Sequence, residues 1–431
     1  MSALRLLGQQ RRCKDHEISH FKTICDSILI LWDPELRSSI FDLPPSVFTD
    51  EFARSMVDNL NLDMICSFGQ LYGDRGGALQ EASYGGQERA DVNAEGLLYT
   101  NGLQAASAGG HKKCTKGRIR AWLRLVVQIL LDAGADVNAK GESGGNALQA
   151  ASEHGHDKVV QILLNADADV NAKGKSGGNA LQAASEHGHE KVVQILINAG
   201  VDLGTEGESR SSALCRASFR GHEKVVQLLL DAGADVNTKE GNYRNALYAA
   251  SRNGYEKVVQ MLLDAGADVN VEGGHHHDAL QVASARGREK IVQMLLDAGA
   301  DANSRGNTLR IASEYGHEKV VQILLDAGVD ANIEGEFNHD ALQAASTRGH
   351  GKVVQMLLDA GADVNAQGGK YGNALYVASA WGHEKVVQML LDARADVNAQ
   401  GGKCGNALEA ALTYGYEKVV QLLLKHGARA L

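Results

Sequence analysis

Histidine is the residue type whose spacing in this chain first suggests chemistry. An imidazole can act as a general base, carry a proton or bind a metal ion. Six histidines follow a glycine and precede an apolar stretch, at His156, His189, His222, His317, His350 and His383. Because this position recurs whenever the surrounding sequence recurs, the pattern favours structural histidines that bridge neighbouring loops.

Three other segments resemble ligand sites, and each lacks a required feature. Residues 275–277 are all histidine, but three consecutive residues at a hairpin tip cannot all point at one metal ion. Segment 174–176 resembles the end of a phosphate-binding loop, yet Asp169 stands where that loop needs glycine. Segment 167–171 spaces its acids like a calcium loop, but its turn glycine is misplaced. No serine or cysteine lies in a recognised nucleophile signature, so we predict no catalytic residue, no metal and no cofactor.

Composition restricts the classes of partner. The chain has 431 residues and a net charge of −10, which argues against binding to nucleic acid or to anionic membranes. No apolar run reaches the length of a membrane-spanning helix. Residues 1–14 are basic, but Asp15 and Glu17 follow at once, which disfavours a targeting peptide. Six scattered cysteines indicate reduced thiols in the cytoplasm or nucleus. They are Cys13, Cys25, Cys66, Cys114, Cys215 and Cys404.

A leucine in the motif Asn-Ala-Leu, or a close variant of it, recurs every 33 residues along most of the chain. The recurring residues are Leu148, Leu181, Leu214, Leu247, Leu280, Leu309, Leu342, Leu375 and Leu408. One interval is shorter, since Leu309 lies 29 residues after Leu280. A fixed period of this length is typical of a repeat array, in which each unit contacts mainly its neighbours.

One complete unit spans residues 143–175 and predicts two helices. Asn146 precedes the apolar stretch 147–152, and its side chain can cap the first helix. Gly155 ends that helix, and residues 157–164 form a second apolar stretch at helical spacing. The capping position in the other units is held by Asn179, Ser212, Asn245, Asp278, Asn307, Asp340, Asn373 and Asn406.

Two glycine positions per unit are predicted to be left-handed helix ends, where a side chain is disfavoured. The first comprises Gly155, Gly188, Gly221, Gly254, Gly287, Gly316, Gly349, Gly382 and Gly415. The second comprises Gly134, Gly200, Gly233, Gly266, Gly299, Gly328, Gly361 and Gly427. Asp167 and Arg394 replace the second glycine in two units.

This unit resembles the ankyrin repeat, with its two antiparallel helices, hairpin finger and Gly-Ala-Asp-x-Asn loop. The resemblance covers roughly residues 70–431, and the Asn-Ala-Leu-Gln variant looks most like the ankyrin arrays of filamentous fungi. It implies an all-α fold of helix-turn-helix repeats with β-hairpin fingers, and a protein that is not an enzyme. The chain departs from the family's Thr-Pro-Leu-His motif because it has no proline in the array.

We predict a helical leader of no recognised family at residues 1–69, followed by the array. The predicted units are 70–97, 98–142, 143–175, 176–208, 209–241, 242–274, 275–303, 304–336, 337–369, 370–402 and 403–431. The first unit lacks its second helix, and the next carries a twelve-residue insertion at 114–125. We predict that this basic insertion is a local appendage or a gene-model artefact outside the repeat core. Within it, 118–125 would extend the second helix toward solvent, and the alternative is a nuclear import signal.

Residues that differ between units are the candidates for partner recognition. Small residues on the first helix and larger ones on the second predict a curved stack, with the first helices and fingers on the concave face. Aromatic and arginine side chains on such a face are those that protein interfaces use most. The predicted partner-binding residues are Phe219, Arg220, Tyr243, Arg252, Arg286, Tyr315, Phe337, Arg348, Tyr371, Trp381 and Tyr414.

These patterns favour a monomeric, non-enzymatic scaffold that binds a protein on its concave face, without a small-molecule substrate. One alternative is the ligand-sensing array of a larger fungal signalling protein with a nucleotide-binding domain, here without its catalytic part. A third reading, an enzyme within residues 1–69, is disfavoured because that segment is too short for an active-site cleft.

Overall fold

The structure is a computed structural model, and it describes the array in most detail from residue 145 onward. The described residues are 103–104, 107, 123–124, 127–128, 130–132, 134–140, 145–174, 178–204, 212–238, 245–271, 278–303, 307–333, 340–368, 372–402 and 405–429. The chain divides into two compact units. One unit comprises Met1–Ala180 with Asn198–Gly200, and the other comprises Leu181–Ile197 with Val201–Leu431.

The helices come in pairs, one pair in each predicted repeat from 143–175 onward. The first pair is α1 (Ala147–Glu153) and α2 (Asp157–Asn165). Each later pair again has a first helix of seven to nine residues and a second of nine. The later helices are α3 (Ala180–His187), α4 (Glu190–Asn198), α5 (Ala213–Arg220), α6 (Glu223–Asp231), α7 (Ala246–Asn253), α8 (Glu256–Asp264), α9 (Ala279–Ala285), α10 (Glu289–Asp297), α11 (Asn307–Tyr315), α12 (Glu318–Asp326), α13 (Ala341–Arg348), α14 (Gly351–Asp359), α15 (Ala374–Ala380), α16 (Glu384–Asp392), α17 (Ala407–Tyr414) and α18 (Glu417–Lys425).

In the second unit the helices form two rows. Each odd-numbered helix from α5 to α17 packs against the next odd-numbered helix, and the even-numbered helices from α6 to α18 do the same. The buried residues recur with the repeat: Val353, Val354 and Leu357 of α14 are each at most 1% exposed. This confirms the predicted all-α repeat fold. In the described residues the extended structure is limited to two isolated bridges, Gly368 with Gly372 and Gln400 with Asn406.

The predicted caps begin the first helix of most repeats. The Asn146 side chain accepts from the backbone N–H of Gln149 at 2.8 Å, and the Gln149 side chain accepts from the N–H of Asn146 in return. Such a cap stabilises a helix by about 1 kcal/mol. The same hydrogen bond, from the backbone N–H three residues later, is accepted by the side chains of Ser212, Asn245, Asp278, Asp340, Asn373 and Asn406. The prediction is off by one residue at Asn307, which is the first residue of α11 itself, a difference within the usual uncertainty of helix ends.

Both glycine series have the predicted left-handed backbone. The first series has φ between 64° at Gly287 and 88° at Gly254, and the second between 79° at Gly200 and 88° at Gly233. Asp167 and Arg394 share this conformation, with φ of 62° and 66°. They are the two non-glycine residues with positive φ in the part of the chain that is described.

In several repeats an asparagine joins the loop after the second helix to the next repeat. The Asn332 side-chain amide donates to the Gly361 carbonyl at 3.1 Å, and its oxygen accepts from the Asp363 N–H at 2.6 Å. Within its own loop, the Asn332 N–H donates to the Asp330 carboxylate at 2.9 Å. The Asp-x-Asn motif therefore forms a turn and an inter-repeat bridge with the same two residues.

The prediction that residues 114–125 lie outside the repeat core is wrong for Leu123. This residue is helical and 1% exposed. It lies 33 residues before His156, which is also buried, so it occupies the position that follows the first glycine in other repeats. Burying an apolar side chain stabilises the fold, whereas the same side chain held in solvent does not. The burial of Leu123 is therefore the more favourable arrangement. Residues 114–122, the leader 1–69 and the unit 70–97 lie outside the described residues.

Candidate partner-binding surface

The residue just before the first glycine of each repeat forms a recurring surface position, here called the pre-glycine column. In the second unit it comprises His187, Arg220, Asn253, Arg286, Tyr315, Arg348, Trp381 and Tyr414. Most of these residues end a first helix, whereas Arg286 and Trp381 lie immediately after α9 and α15. Since the odd-numbered helices lie in one row, the column runs along the ends of that row.

Three large aromatic residues in this column are strongly exposed. Tyr315, Trp381 and Tyr414 are each 58% exposed. Large apolar side chains usually lose contact with water in a folded protein, and a group of exposed ones is informative. These aromatic residues therefore contribute little to the core and are accessible to a partner.

The loop behind the column is held by the histidine that follows the glycine. The His317 Nε2 atom lies 3.1 Å from the Ala285 carbonyl of the preceding repeat. The Tyr315 ring stacks on the His317 ring at 6.2 Å between centroids. His222, His350 and His383 make the same backbone contact with Glu186, Glu314 and Thr347. The bridging role predicted for these four histidines is confirmed, and it gives Tyr315 a rigid support.

Two of the candidate arginines are bound within the protein. Arg220 donates to the Glu186 carboxylate at 2.8 Å, and Arg216 donates to its other oxygen at 2.7 Å. Arg348 and Arg310 flank Glu314 in the same way, each at 3.1 Å. Arg220 and Arg348 remain 49% and 59% exposed at the side chain, so a partner can still reach them.

The pKa of the Glu186 carboxyl depends on its burial and on these two arginines. Burial acts to raise the pKa of its carboxyl, but the hydrogen bonds from Arg220 and Arg216 act in the opposite direction. The net effect lowers the pKa of Glu186 below the usual value. The carboxylate therefore stays ionised and links the two repeats at neutral pH.

Of the remaining candidate partner-binding residues, three are described by the structure and three are not. Phe219 is half-buried, with the Arg220 guanidinium carbon 5.6 Å from its ring centroid. Arg252 is half-buried and Arg286 is exposed. Tyr243, Phe337 and Tyr371, and the histidines 275–277, lie outside the described residues.

Sequence reasoning missed two positions next to the column. Tyr255 occupies the place of the bridging histidine and is 37% exposed. Its ring lies against Gly221 of the preceding repeat, as the histidines lie against theirs. The signal was the dipeptide Gly-Tyr at 254–255 in place of Gly-His. Leu412 is 55% exposed at a position where Ser379 and its counterparts are fully buried.

Metal-binding clusters and membrane spans do not occur in the described part of the chain. No group of three His, Cys, Asp or Glu side chains among those residues could hold a metal ion. No helix there has the length and hydropathy needed to cross a membrane. Cys215 is buried and outside any disulfide, whereas the other cysteines lie beyond the described residues.

Comparison with known proteins identifies one family. A family model described as ankyrin repeats, three copies, matches residues 81–174, 119–207, 183–273, 214–306, 272–335 and 309–401. Among solved structures, the crystal structure of the human ASB11 ankyrin repeat domain is similar, with 26% sequence identity and a TM-score of 0.47. That match covers 51% of this chain and 100% of the ASB11 domain. None of the curated proteins compared with the chain matches it significantly.

Proposed function

The chain belongs to the ankyrin repeat family, and from this premise we propose that it is a scaffold that binds a protein partner through the pre-glycine column and the adjoining fingers. Repeat arrays of this kind serve as protein-interaction modules. The family resemblance also implies a non-enzymatic role. The exposure of named side chains supports the finer assignment to one surface.

The exposure of Tyr315, Trp381 and Tyr414 carries the proposal. All three are 58% exposed, and all occupy the same position in different repeats. Aromatic residues are enriched among the residues that contribute most to protein binding. They offer a large apolar area and few rotatable bonds, so their ordering on binding costs little.

The other row of helices is a poorer candidate. Its sequence repeats from unit to unit, as in Glu-Lys-Val-Val-Gln at 256–260 and 318–322. The lysines there pair with glutamates of the preceding repeat, for example Lys257 with Glu223 at 3.4 Å, and remain 77–79% exposed. Exposed pairs of this kind contribute little energy and no distinctive shape.

A binding selection tests the proposal directly. The full chain would be used to select binders from a displayed library of random peptides, and each binder would be measured on the triple variant Tyr315→Ala, Trp381→Ala, Tyr414→Ala. We expect the triple variant to lose several kcal/mol of binding free energy. Its circular dichroism should be unchanged, because more than half of each side chain is already in solvent.

A matched control uses an exposed apolar residue on the other row of helices. Leu424 of α18 is 53% exposed. The variant Leu424→Ala should keep the affinity of wild type. Binders that retain full affinity for the triple variant would place the binding site on another surface. Loss of helical signal in the triple variant would instead make the three aromatic residues structural.

A further inference from the structure

The two rows of helices differ in the charged residues that they carry. From α5 to α16, every helical lysine lies on an even-numbered helix and every helical arginine lies on an odd-numbered one. Glu314 is the single acid on the odd-numbered helices α5, α7, α9, α11, α13 and α15. Each even-numbered helix in that span carries at least one acid, as do the loops that follow. The odd-numbered row is therefore basic, although the whole chain has a net charge of −10.

The positive charge is concentrated where the proposed binding surface lies. Arg216 and Arg220 share Glu186, and Arg310 and Arg348 share Glu314. Between these clusters lie Arg252 at the end of α7 and Arg286 just after α9. Neither forms an ion pair within the described residues.

A third arginine adds to this central region. Arg288 stands in the position of the bridging histidine, and its guanidinium lies against Gly254, two residues beyond Arg252. A Cβ added to Gly254 would be 2.7 Å from the guanidinium carbon. The head group of Arg288 therefore lies at the end of α7, close in the chain to Arg252, in a groove that Glu256 and Glu289 of the even-numbered row also line.

Arginine at these positions favours a particular ligand chemistry. Its planar guanidinium donates two parallel hydrogen bonds and matches a carboxylate better than lysine does. Neighbouring packed helices are about 10 Å apart, and an extended peptide advances about 3.3 Å per residue. One repeat therefore corresponds to about three residues of an extended peptide that runs along the row.

We propose that the partner presents an extended acidic segment to this surface, an inference that rests on the proposed function. Its contact side chains are spaced about three residues apart and follow the order of the row. Carboxylates face Arg252 and Arg286, an apolar side chain faces Tyr315, a further carboxylate faces Arg348, and apolar side chains face Trp381 and Tyr414. A segment that reaches from the end of α7 to that of α17 has about 15 residues. The even-numbered helices carry acids beside their lysines, so they offer such a segment no surplus of positive charge.

Two synthetic peptides test the charge requirement. The first is a fluorescein-labelled peptide of about 15 residues. At every third position it has, in order, glutamate, glutamate, leucine, glutamate, leucine and leucine, with serine elsewhere. The second has lysine in place of each glutamate. By fluorescence anisotropy on the full chain, we expect the acidic peptide to bind at least about tenfold more tightly, and its affinity to fall as salt is added.

A charge-reversed pair of variants locates the contact. Arg252→Glu with Arg286→Glu should weaken the acidic peptide by at least about tenfold. The control, Lys352→Glu with Lys418→Glu, makes the same charge change on the even-numbered row and should have little effect. A labelled DNA duplex serves as a second anion. Arginine-dependent binding of the duplex as tight as that of the peptide would overturn the assignment to an acidic protein segment.

The outcomes separate this inference from the proposed function. If the lysine peptide binds as well as the acidic one, or if Arg252→Glu with Arg286→Glu has no effect, the acidic class is wrong. In that case, selected peptides that still depend on Tyr315, Trp381 and Tyr414 would leave the proposed function standing. If no selected peptide depends on those aromatic residues and the acidic peptide fails to bind, both proposals fall.

Discussion

The two loops of each repeat both turn at a residue with positive φ, yet they place different demands on that residue. Gly349 follows the first helix of its repeat with φ of 73°, and Gly361 follows the second with φ of 86°. A Cβ on Gly349 would lie 2.6 Å from His383 Nδ1 of the next repeat, whereas a Cβ on Gly361 would meet nothing within 4 Å. The first position thus needs glycine both for its left-handed backbone and for the close contact with the next repeat. The second position needs glycine for its left-handed backbone alone.

This difference explains where the array departs from glycine. The first position is glycine in every described repeat from Gly155 to Gly415. The second is Asp167 in one repeat and Arg394 in another. A left-handed backbone costs a non-glycine residue about 1 kcal/mol, which a long array can absorb. A steric clash with the next repeat adds to that cost, and it would disturb the bridging hydrogen bond as well.

The largest expected effect is that of Gly349→Ala. The new methyl group would displace His383, which contacts the Thr347 carbonyl at 3.0 Å. We expect a loss of about 2–3 kcal/mol, from the backbone conformation and the lost hydrogen bond together. Urea denaturation would measure the stability, and hydrogen exchange would show which repeats are affected, since long arrays need not unfold in two states.

Gly415 offers the matched control for that substitution. It has the same loop position and φ of 77°, but a Cβ there would meet nothing within 4 Å. Gly415→Ala should therefore cost only the backbone term of about 1 kcal/mol. Equal losses for Gly349→Ala and Gly415→Ala would show that the histidine contact does not distinguish the two loops.

The next effect, on the second loop, comes from Asn332→Ala. This change removes the bond to the Gly361 carbonyl and the bond from the Asp363 N–H. Two exposed hydrogen bonds should contribute about 1–2 kcal/mol together. The Asp363 amide should then exchange faster with solvent. Asn332→Asp is the partial control, because it keeps an acceptor for the Asp363 N–H but loses the donor. Unchanged exchange at Asp363 would contradict the bridging role.

Arg394→Gly should stabilise the array by about 1 kcal/mol, because it relieves a left-handed arginine at no steric cost. The urea midpoint should rise, and amide exchange should slow in α16 and α18. Asp167→Gly should gain less, since aspartate tolerates this conformation better than arginine does. A lower midpoint for Arg394→Gly would mean that the left-handed conformation of Arg394 does not destabilise this loop.

The smallest expected effect is the pH dependence of the bridge at Glu186, whose own carbonyl also accepts from His222. Because the pKa of Glu186 is lowered in the folded state, the unfolded chain binds a proton more readily. The contribution is therefore fully present above the unfolded carboxyl pKa of about 4.3. It is lost as the pH falls through the lower pKa of the folded state. For a partly exposed group we expect less than about 1 kcal/mol.

Glu186→Gln tests this sign. The stability difference between wild type and the variant should be largest near neutral pH and should shrink as the solution is acidified. Urea midpoints at about pH 6 and about pH 3 bracket the expected change. A difference that is the same at both pH values would mean that the Arg216 and Arg220 bonds do not depend on the charge of Glu186.

The local backbone conformations of the repeat could be predicted from the residues alone. The period of the leucines, the capping residues and the glycine positions all reflect conformations that few residue types can adopt. Arg394 was predicted to be left-handed because it stood in a glycine position, and its φ is 66°. The candidate aromatic residues were chosen for their variability, and Tyr315, Trp381 and Tyr414 lie exposed.

Pairings between repeats were harder to predict. Arg220 and Arg348 are similar to Arg286 in their sequence position, yet each donates to a glutamate 34 residues earlier. Leu123 was assigned to an insertion because residues 111–113 and 126–128 read together as an ordinary unit, yet its side chain is buried. Phe219 was grouped with the exposed aromatic residues but is half-buried.

The sequence by itself determined the repeat, its helices, its caps and its turns, because these depend on the conformation of a few consecutive residues. The tertiary structure decided which charges are paired, which glycines face a neighbour and which surface is basic. Those properties depend on side chains about one repeat apart that meet only after stacking, as Glu186 meets Arg216 and Gly349 meets His383.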